Sequence, residues 1–152
     1  MNPTELLSFD ELRNAGGREL GPSEWMIIDQ TRIDGFADAI DDHQWIHVDP
    51  VRALAGPFGG TIAHGYLTLS AAATRLGELL QVSGASRVIN YGLDRVRFPA
   101  PVRAGTRVRA RARILEVLEI ADGVEVLAEV TADAEGIDRP VCVAQARIRY
   151  MR

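Results

Sequence analysis

Apolar positions along this chain follow a helical period up to about residue 80 and a period of two from residue 87 onward. In the first part, Ile33, Phe36, Ala37 and Ile40 recur at i, i+3, i+4 and i+7, which predicts a helix with Asp29 or Thr31 as its N-cap. That helix should stop at the polar string Asp41-Asp42-His43-Gln44. Leu6, Leu7, Phe9 and Leu12 suggest an earlier helix over 4–14, ended by Gly16-Gly17, and the apolar run 24–29 reads as a short strand. Asp49-Pro50 marks a helix start, because a carboxylate accepts orphan backbone N–H groups and proline suits the first helical position. Gly56-Pro57 should close that helix. Tyr66 to Leu80 is the most apolar helical stretch, rich in alanine, and predicts a buried central helix.

The later pattern is a strand pattern. Val108, Ala110, Ala112 and Ile114 alternate with Arg107, Arg109, Arg111 and Arg113. After the Asp122-Gly123 turn signal, Val124, Val126, Ala128, Val130 and Ala132 define a returning strand, and residues 140–151 a third beyond Glu135-Gly136. Residues 87–94 supply a fourth strand, joined to the meander by a kinked connection over Phe98-Pro99-Ala100-Pro101-Val102. No repeat or linker divides the 152 residues, so the expectation is one α+β domain over 1–152, with a sheet covering one buried helix.

Composition narrows the function classes. The formal net charge is -4, and all 17 basic residues are arginine, which argues against general nucleic-acid binding. No apolar run is long enough to span a membrane. The first twenty residues carry acids and no signal-peptide core, so a cytoplasmic protein is expected. The lone Cys142 sits in an apolar strand-like run and reads as a buried small hydrophobe.

Candidate chemistry gathers around the three histidines, His43, His47 and His64. Asp42 and His47 fall in a stretch expected to be non-helical, where both side chains can converge on one pocket. A carboxylate beside an imidazole can hold a water and exchange its proton. The competing reading is a pair of solvated loop residues or caps. His64-Gly65 sits at the predicted N-terminus of the buried helix, where free N–H groups favour developing negative charge; alternatively, Gly65 only starts the helix and His64 only packs. A metal site would draw on His43, His47, Asp42, Asp49 and His64, but two histidines four apart face each other only on a helix, so no metal is expected. Eight arginines between Arg87 and Arg113 can serve carrier phosphates or a solvated sheet face.

The run FADAIDDHQWIHVDP (36–50), followed by IAHGY (62–66) and YGLDRVRFPAPV (91–102) with Gly105, resembles the signature of the MaoC-like (R)-specific enoyl-CoA hydratases. The resemblance covers roughly residues 16–151 and is nearest to the short, NodN-like and mycobacterial-type branch. It implies a hot-dog fold, an antiparallel sheet wrapped around a long helix, and a homodimer. It also implies an acyl-CoA thioester substrate, with Asp42 and His47 as the catalytic pair, the Gly65 N–H polarising the thioester carbonyl, and no metal or redox cofactor. Gln44 is then expected to orient the pair or the water, and His64 to border the substrate. Where the family pattern reads Gly-Asp-x-Asn-Pro-x-His, this chain has Asp41, Gln44 and Trp45 for the glycine, asparagine and proline. A thioesterase would need an acid near the thioester on the central helix, where only Glu78 stands; a non-catalytic acyl-CoA-binding role is the third reading.

Overall fold

A computed structural model describes residues 4–152. Its elements, in chain order, are β1 (Glu5–Leu7), α1 (Phe9–Arg13), β2 (Glu19–Leu20), β3 (Met26–Ile28), α2 (Gln30–Ile40), α3 (Trp45–Val48), α4 (Pro50–Leu54), α5 (Gly65–Leu79), β4 (Leu80–Val82), β5 (Arg87–Arg97), β6 (Thr106–Ile120), β7 (Gly123–Ala134) and β8 (Cys142–Met151). The main sheet has the order β2-β6-β7-β8-β5, with β3 also pairing β6, and its pairings are antiparallel. α5 packs on β6, β7 and β8. This is the hot-dog arrangement, α+β in class.

Period-two patterning accounts for the sheet. Val108, Ala110, Ala112 and Ile114 of β6 are buried with Val124, Val126, Ala128, Val130 and Ala132 of β7 and Cys142, Ala144, Ala146, Ile148 and Tyr150 of β8. The many alanines on this face let α5 approach closely. On the opposite face Arg107 pairs with Glu135 and Arg111 with Asp133, so the alternating arginines lie among cross-strand acids. Cys142 is fully buried, and burial pushes its thiol up to about 11, which leaves it unreactive.

Three expectations need correction. The proposed 4–14 helix is a short strand followed by a short helix: β1 pairs in parallel with β4, and α1 begins only at Phe9. Ser8 and Glu11 form a reciprocal capping box there, a Ser-x-x-Glu signal that was present in the sequence. α5 is half-buried, with Leu67, Thr68, Ala71, Ala72, Leu76 and Leu79 inward and Tyr66, Ser70, Thr74 and Gly77 outward. The third correction concerns residues 45–48, which form one helical turn instead of irregular chain. Pro50 keeps Asp49 out of the helical region (φ -117, ψ 88) and so ends that turn, but nothing upstream of it prevents the turn from forming. Asp49 caps α4 as expected, accepting from the Arg52 N–H at 3.0 Å.

Asp41 closes α2 in the left-handed conformation, at φ 57 and ψ 29. Glycine adopts that region without steric cost, and aspartate tolerates it better than most residues. Asp41 thus stands, where the family pattern has glycine, in a backbone conformation that glycine adopts freely. Asp41→Val is expected to lower stability by roughly 1–2 kcal/mol relative to Asp41→Gly. Equal melting temperatures for these two variants would remove this explanation.

Candidate active site

Asp42 follows directly on the α2 cap, and its N–H still donates to the Ala37 carbonyl at 3.1 Å. The chain then turns into α3, where the Gln44 N–H donates to Asp42 Oδ1 at 3.3 Å and anchors the carboxylate. Asp42 is half exposed and His47 is 7 % exposed, so the pair joins a solvated acid to a buried imidazole. His47 Nδ1 lies 2.6 Å from the Ile62 carbonyl oxygen. A carbonyl only accepts, so Nδ1 carries the proton and Nε2 of the neutral ring presents a lone pair.

His64 occupies the N-cap position of α5, without a side-chain capping bond, and is 3 % exposed. Its Nε2–H donates to the Asp42 carbonyl at 3.0 Å, and Asp42 Oδ2 lies 3.9 Å from the same nitrogen. Its ring stacks on His47, centroids 3.8 Å apart and 23° between planes, with Phe36 packed at 5.2 Å. Ligand-type atoms of Asp42, His47 and His64 all lie within 4.8 Å of one another, so these three residues are where a cation would be sought. His43 is not among them, because its Nε2–H turns back to Asp38 at 2.7 Å. Asp49 is engaged as the α4 cap.

Burial disfavours the charged imidazole, and this is the main reason the His47 pKa lies below its ordinary 6.5. The charge of His64 lowers it further, while the bond to Ile62 and the charge of Asp42 oppose the shift.

Gly65 is the first residue of α5, and the N–H groups of a first helical turn have no intrahelical acceptor. A Cβ at this position would lie 3.0 Å from the Phe98 ring, so glycine permits the close approach of that ring. Gly65, Ile62, Thr68, Phe58, Phe98 and Val102 border a largely apolar cleft of about 320 Å³. Asp42 and His47 do not line this cleft themselves; Ile62, which holds the His47 ring, does. Another opening of about 290 Å³ lies on the outer sheet face beside Gly21-Pro22, Arg111 and Arg113, and no histidine borders it.

Of the residues singled out from sequence, Asp42, His47 and His64 are brought into contact distance and Gly65 opens the adjoining helix. Gln44 contributes its backbone N–H, and its side chain is exposed. Sequence reasoning missed Gln30, whose Nε2 donates to the His47 carbonyl at 2.8 Å, and Thr61, whose hydroxyl donates to Gln30 Oε1 at 2.5 Å. Nothing in the local pattern marks either residue, since the two lie 31 positions apart.

Residues 11–135 match the family model described as MaoC like domain. The 3-hydroxyacyl-thioester dehydratase Z of Mycobacterium tuberculosis is 46% identical over 145 residues, covering 95% of this chain and 96% of that protein. Nodulation protein N of Rhizobium leguminosarum bv. viciae is 47% identical over 141 residues, covering 91% of this chain and 88% of its own. Among solved structures, the unliganded R-hydratase PhaJ1 from Pseudomonas aeruginosa superposes with a TM-score of 0.73 at 21% identity, over 90% of this chain and 82% of that one. With the fold, the family model and relatives matched over most of its length in agreement, this chain belongs to the MaoC-like dehydratase family.

Proposed function

We propose that this protein adds water to trans-2-enoyl-CoA to give (3R)-3-hydroxyacyl-CoA and catalyses the reverse dehydration. The observation that carries this reading is the fixed tautomer of His47: its Nε2 lone pair is free to accept a proton beside the Asp42 carboxylate. A water held by Asp42 and His47 gives its oxygen to C3 and its proton to the pair. The charge that builds on the thioester oxygen is stabilised by the Gly65 N–H, and a proton delivered to C2 from the same face restores the pair. Atoms balance with water alone, so the reaction needs neither metal nor redox cofactor. The stacked rings of His47 and His64 also suit a metal poorly, since in-plane lone pairs of parallel rings do not converge on one ion. Arg97 and Arg103 flank the cleft residues Phe98 and Val102 and have no carboxylate partner among the described residues, which suits them to carrier phosphates.

The thioesterase reading has less support. Glu78 is ion-paired to Arg75, about 20 Å along α5 from Gly65. The non-catalytic reading keeps the similarity to nodulation protein N behind it. Incubation with crotonyl-CoA and octenoyl-CoA, following loss of enoyl absorbance and release of free thiol, separates the three. Hydration without thiol release is the expected result. Thiol release alone favours the thioesterase, and binding without turnover favours the binding module.

The His47 pKa gives the sign of the pH dependence. The neutral ring is the working form, and its folded pKa lies below 6.5, so activity is present above that value and lost as pH falls through the lowered pKa. The kcat/KM profile should therefore stay level through pH 6.5 and fall only on the acid side. An acid limb centred above 6.5 would contradict the assignment.

A homodimer accounts for the free edge of the sheet. β5 ends the strand order, its residues are largely exposed, and Val88, Ile89, Tyr91 and Leu93 are apolar side chains left in solvent. A hollow of about 200 Å³ beside it, bordered by Leu69, Ala73, Leu93 and Ala146, extends the apolar surface onto α5. A long apolar edge is a template for pairing, and a second copy satisfies it by two-fold symmetry. Light scattering should give twice the chain mass, and Val88→Lys combined with Leu93→Lys should give one chain mass. A parent protein that is already monomeric would exclude the dimer.

A further inference from the structure

His47 is held at two points that belong to one closed path through three segments. Its ring Nδ1–H donates to the Ile62 carbonyl at 2.6 Å, and its own backbone carbonyl accepts from Gln30 Nε2 at 2.8 Å. Gln30 Oε1 accepts from the Thr61 hydroxyl at 2.5 Å, and Thr61 is joined covalently to Ile62. The path from ring to Ile62, Thr61, Gln30 and back to the His47 backbone therefore closes. The Ile62 N–H also donates to the Ile46 carbonyl at 2.9 Å, which ties the same two segments a second time.

The polarity of each group in this path is determined. Gln30 Nε2 donates to the His47 carbonyl and, at 2.8 Å, to Asp34 Oδ1, so both amide protons face acceptors while its oxygen faces a donor. Only one orientation of the amide satisfies all three contacts. Thr61 is 5 % exposed and Gln30 is half-buried, so water does not readily replace these bonds.

We propose that Gln30 and Thr61 are positioning residues that keep the Ile62 carbonyl under the His47 ring and so hold the imidazole in its Nδ1–H tautomer with Nε2 directed to the reacting water. This rests on His47 being the proton acceptor. The two neutral tautomers of a free imidazole differ little in energy, and here the carbonyl decides between them. The carbonyl does so only while residues 61–62 stay docked against α3. Gln30 hydrogen-bonds both segments from a third element, α2, which presents no other group to His47 through a hydrogen bond among the described residues. Displacing a catalytic group by about 1 Å costs on the order of a hundredfold in rate, so slackening this path should slow turnover without weakening binding.

The test uses the full chain with Thr61→Val, which removes the hydroxyl at nearly constant shape, Thr61→Ser, which restores it, and Gln30→Glu, which replaces the amide donor by an acceptor. Steady-state kinetics on crotonyl-CoA, thermal melting and nitrogen NMR of the imidazoles are measured on each. The chain has 3 histidines, so His47 is assigned by the signal lost in His47→Gln. Thr61→Val and Gln30→Glu are expected to lower kcat about tenfold or more with KM within about twofold, and to move the His47 nitrogen shifts from the Nδ1–H pattern toward a tautomer mixture. Thr61→Ser should return both. A lower melting temperature with unchanged kcat and unchanged His47 shifts marks a merely structural role and overturns the proposal. Should His47→Gln keep full activity, the proton-acceptor reading fails, and the NMR arm still decides the positioning claim: unmoved shifts in Thr61→Val refute it, and shifts restored by Thr61→Ser support it.

Discussion

Asp42→Asn and His47→Gln are each expected to reduce hydration of crotonyl-CoA by about 10²–10⁴-fold while leaving a folded protein. Asparagine retains an oxygen to accept from the Gln44 N–H, and the site is half exposed, so the loss is chemical: the carboxylate charge and its proton affinity are gone. Glutamine at 47 can still reach a carbonyl with its amide but has no group that takes a proton near neutral pH. It also gives up the stack on His64, so a small loss in melting temperature is expected for this variant only. Rates should be normalised to folded protein by circular dichroism. Wild-type rates in both variants would remove the pair from the mechanism, and loss in one variant alone would leave a single-residue mechanism. The double variant should be little slower than the worse single one, because groups that handle one proton together are not additive.

Gly123→Ala is expected to be the most damaging of the glycine-to-alanine substitutions. A Cβ there would sit 2.0 Å from the Tyr150 carbonyl oxygen and 3.0 Å from Met151 Cα, both of them backbone atoms of the paired strand β8. Backbone in a sheet cannot rotate away as the end of a side chain can, so the β7–β8 register at this end must open. The cost is roughly 3 kcal/mol, which for a chain of this length lowers Tm by about 6–12 °C. The site itself is built from α2, α3 and the start of α5, so kcat per folded molecule should not change. A melting temperature within a degree or so of the parent would mean that the strands shift without strain. A large change in kcat would mean that the hairpin end communicates with the site.

Much of the fold was legible because period and punctuation agree locally. The 33–40 spacing with Asp29, the Asp49-Pro50 start, the Asp122-Gly123 turn and the alternating β6–β8 strands each draw on neighbours in the chain, and each appears where it was expected. The errors lie where a nearby signal was outweighed. Residues 5–7 have an apolar spacing compatible with a helix, but Leu7 gains a partner in Val82, 75 positions away, and the strand wins. In α3, the helix is a single turn of 4 residues, too short for an apolar period to register. The free face of α5 could not be anticipated from its apolar composition alone, because the sheet covers only one side of it.

The candidate site divides along the same line. The sequence by itself determined which groups are available: one aspartate and two histidines in the string 42–47, a third histidine beside a glycine at a helix start, and no lysine. It also determined, through the helical pattern and the polar string that ends it, that Asp42 lies just beyond α2. Only the tertiary structure decided what each imidazole does. His43 turns to Asp38, His64 donates to the Asp42 carbonyl, and His47 is given its tautomer by a carbonyl 15 positions away. Proton placement on a ring depends on which acceptor stands within hydrogen-bond reach, and that is a property of packing between segments, whereas the supply of rings and carboxylates is a property of the chain.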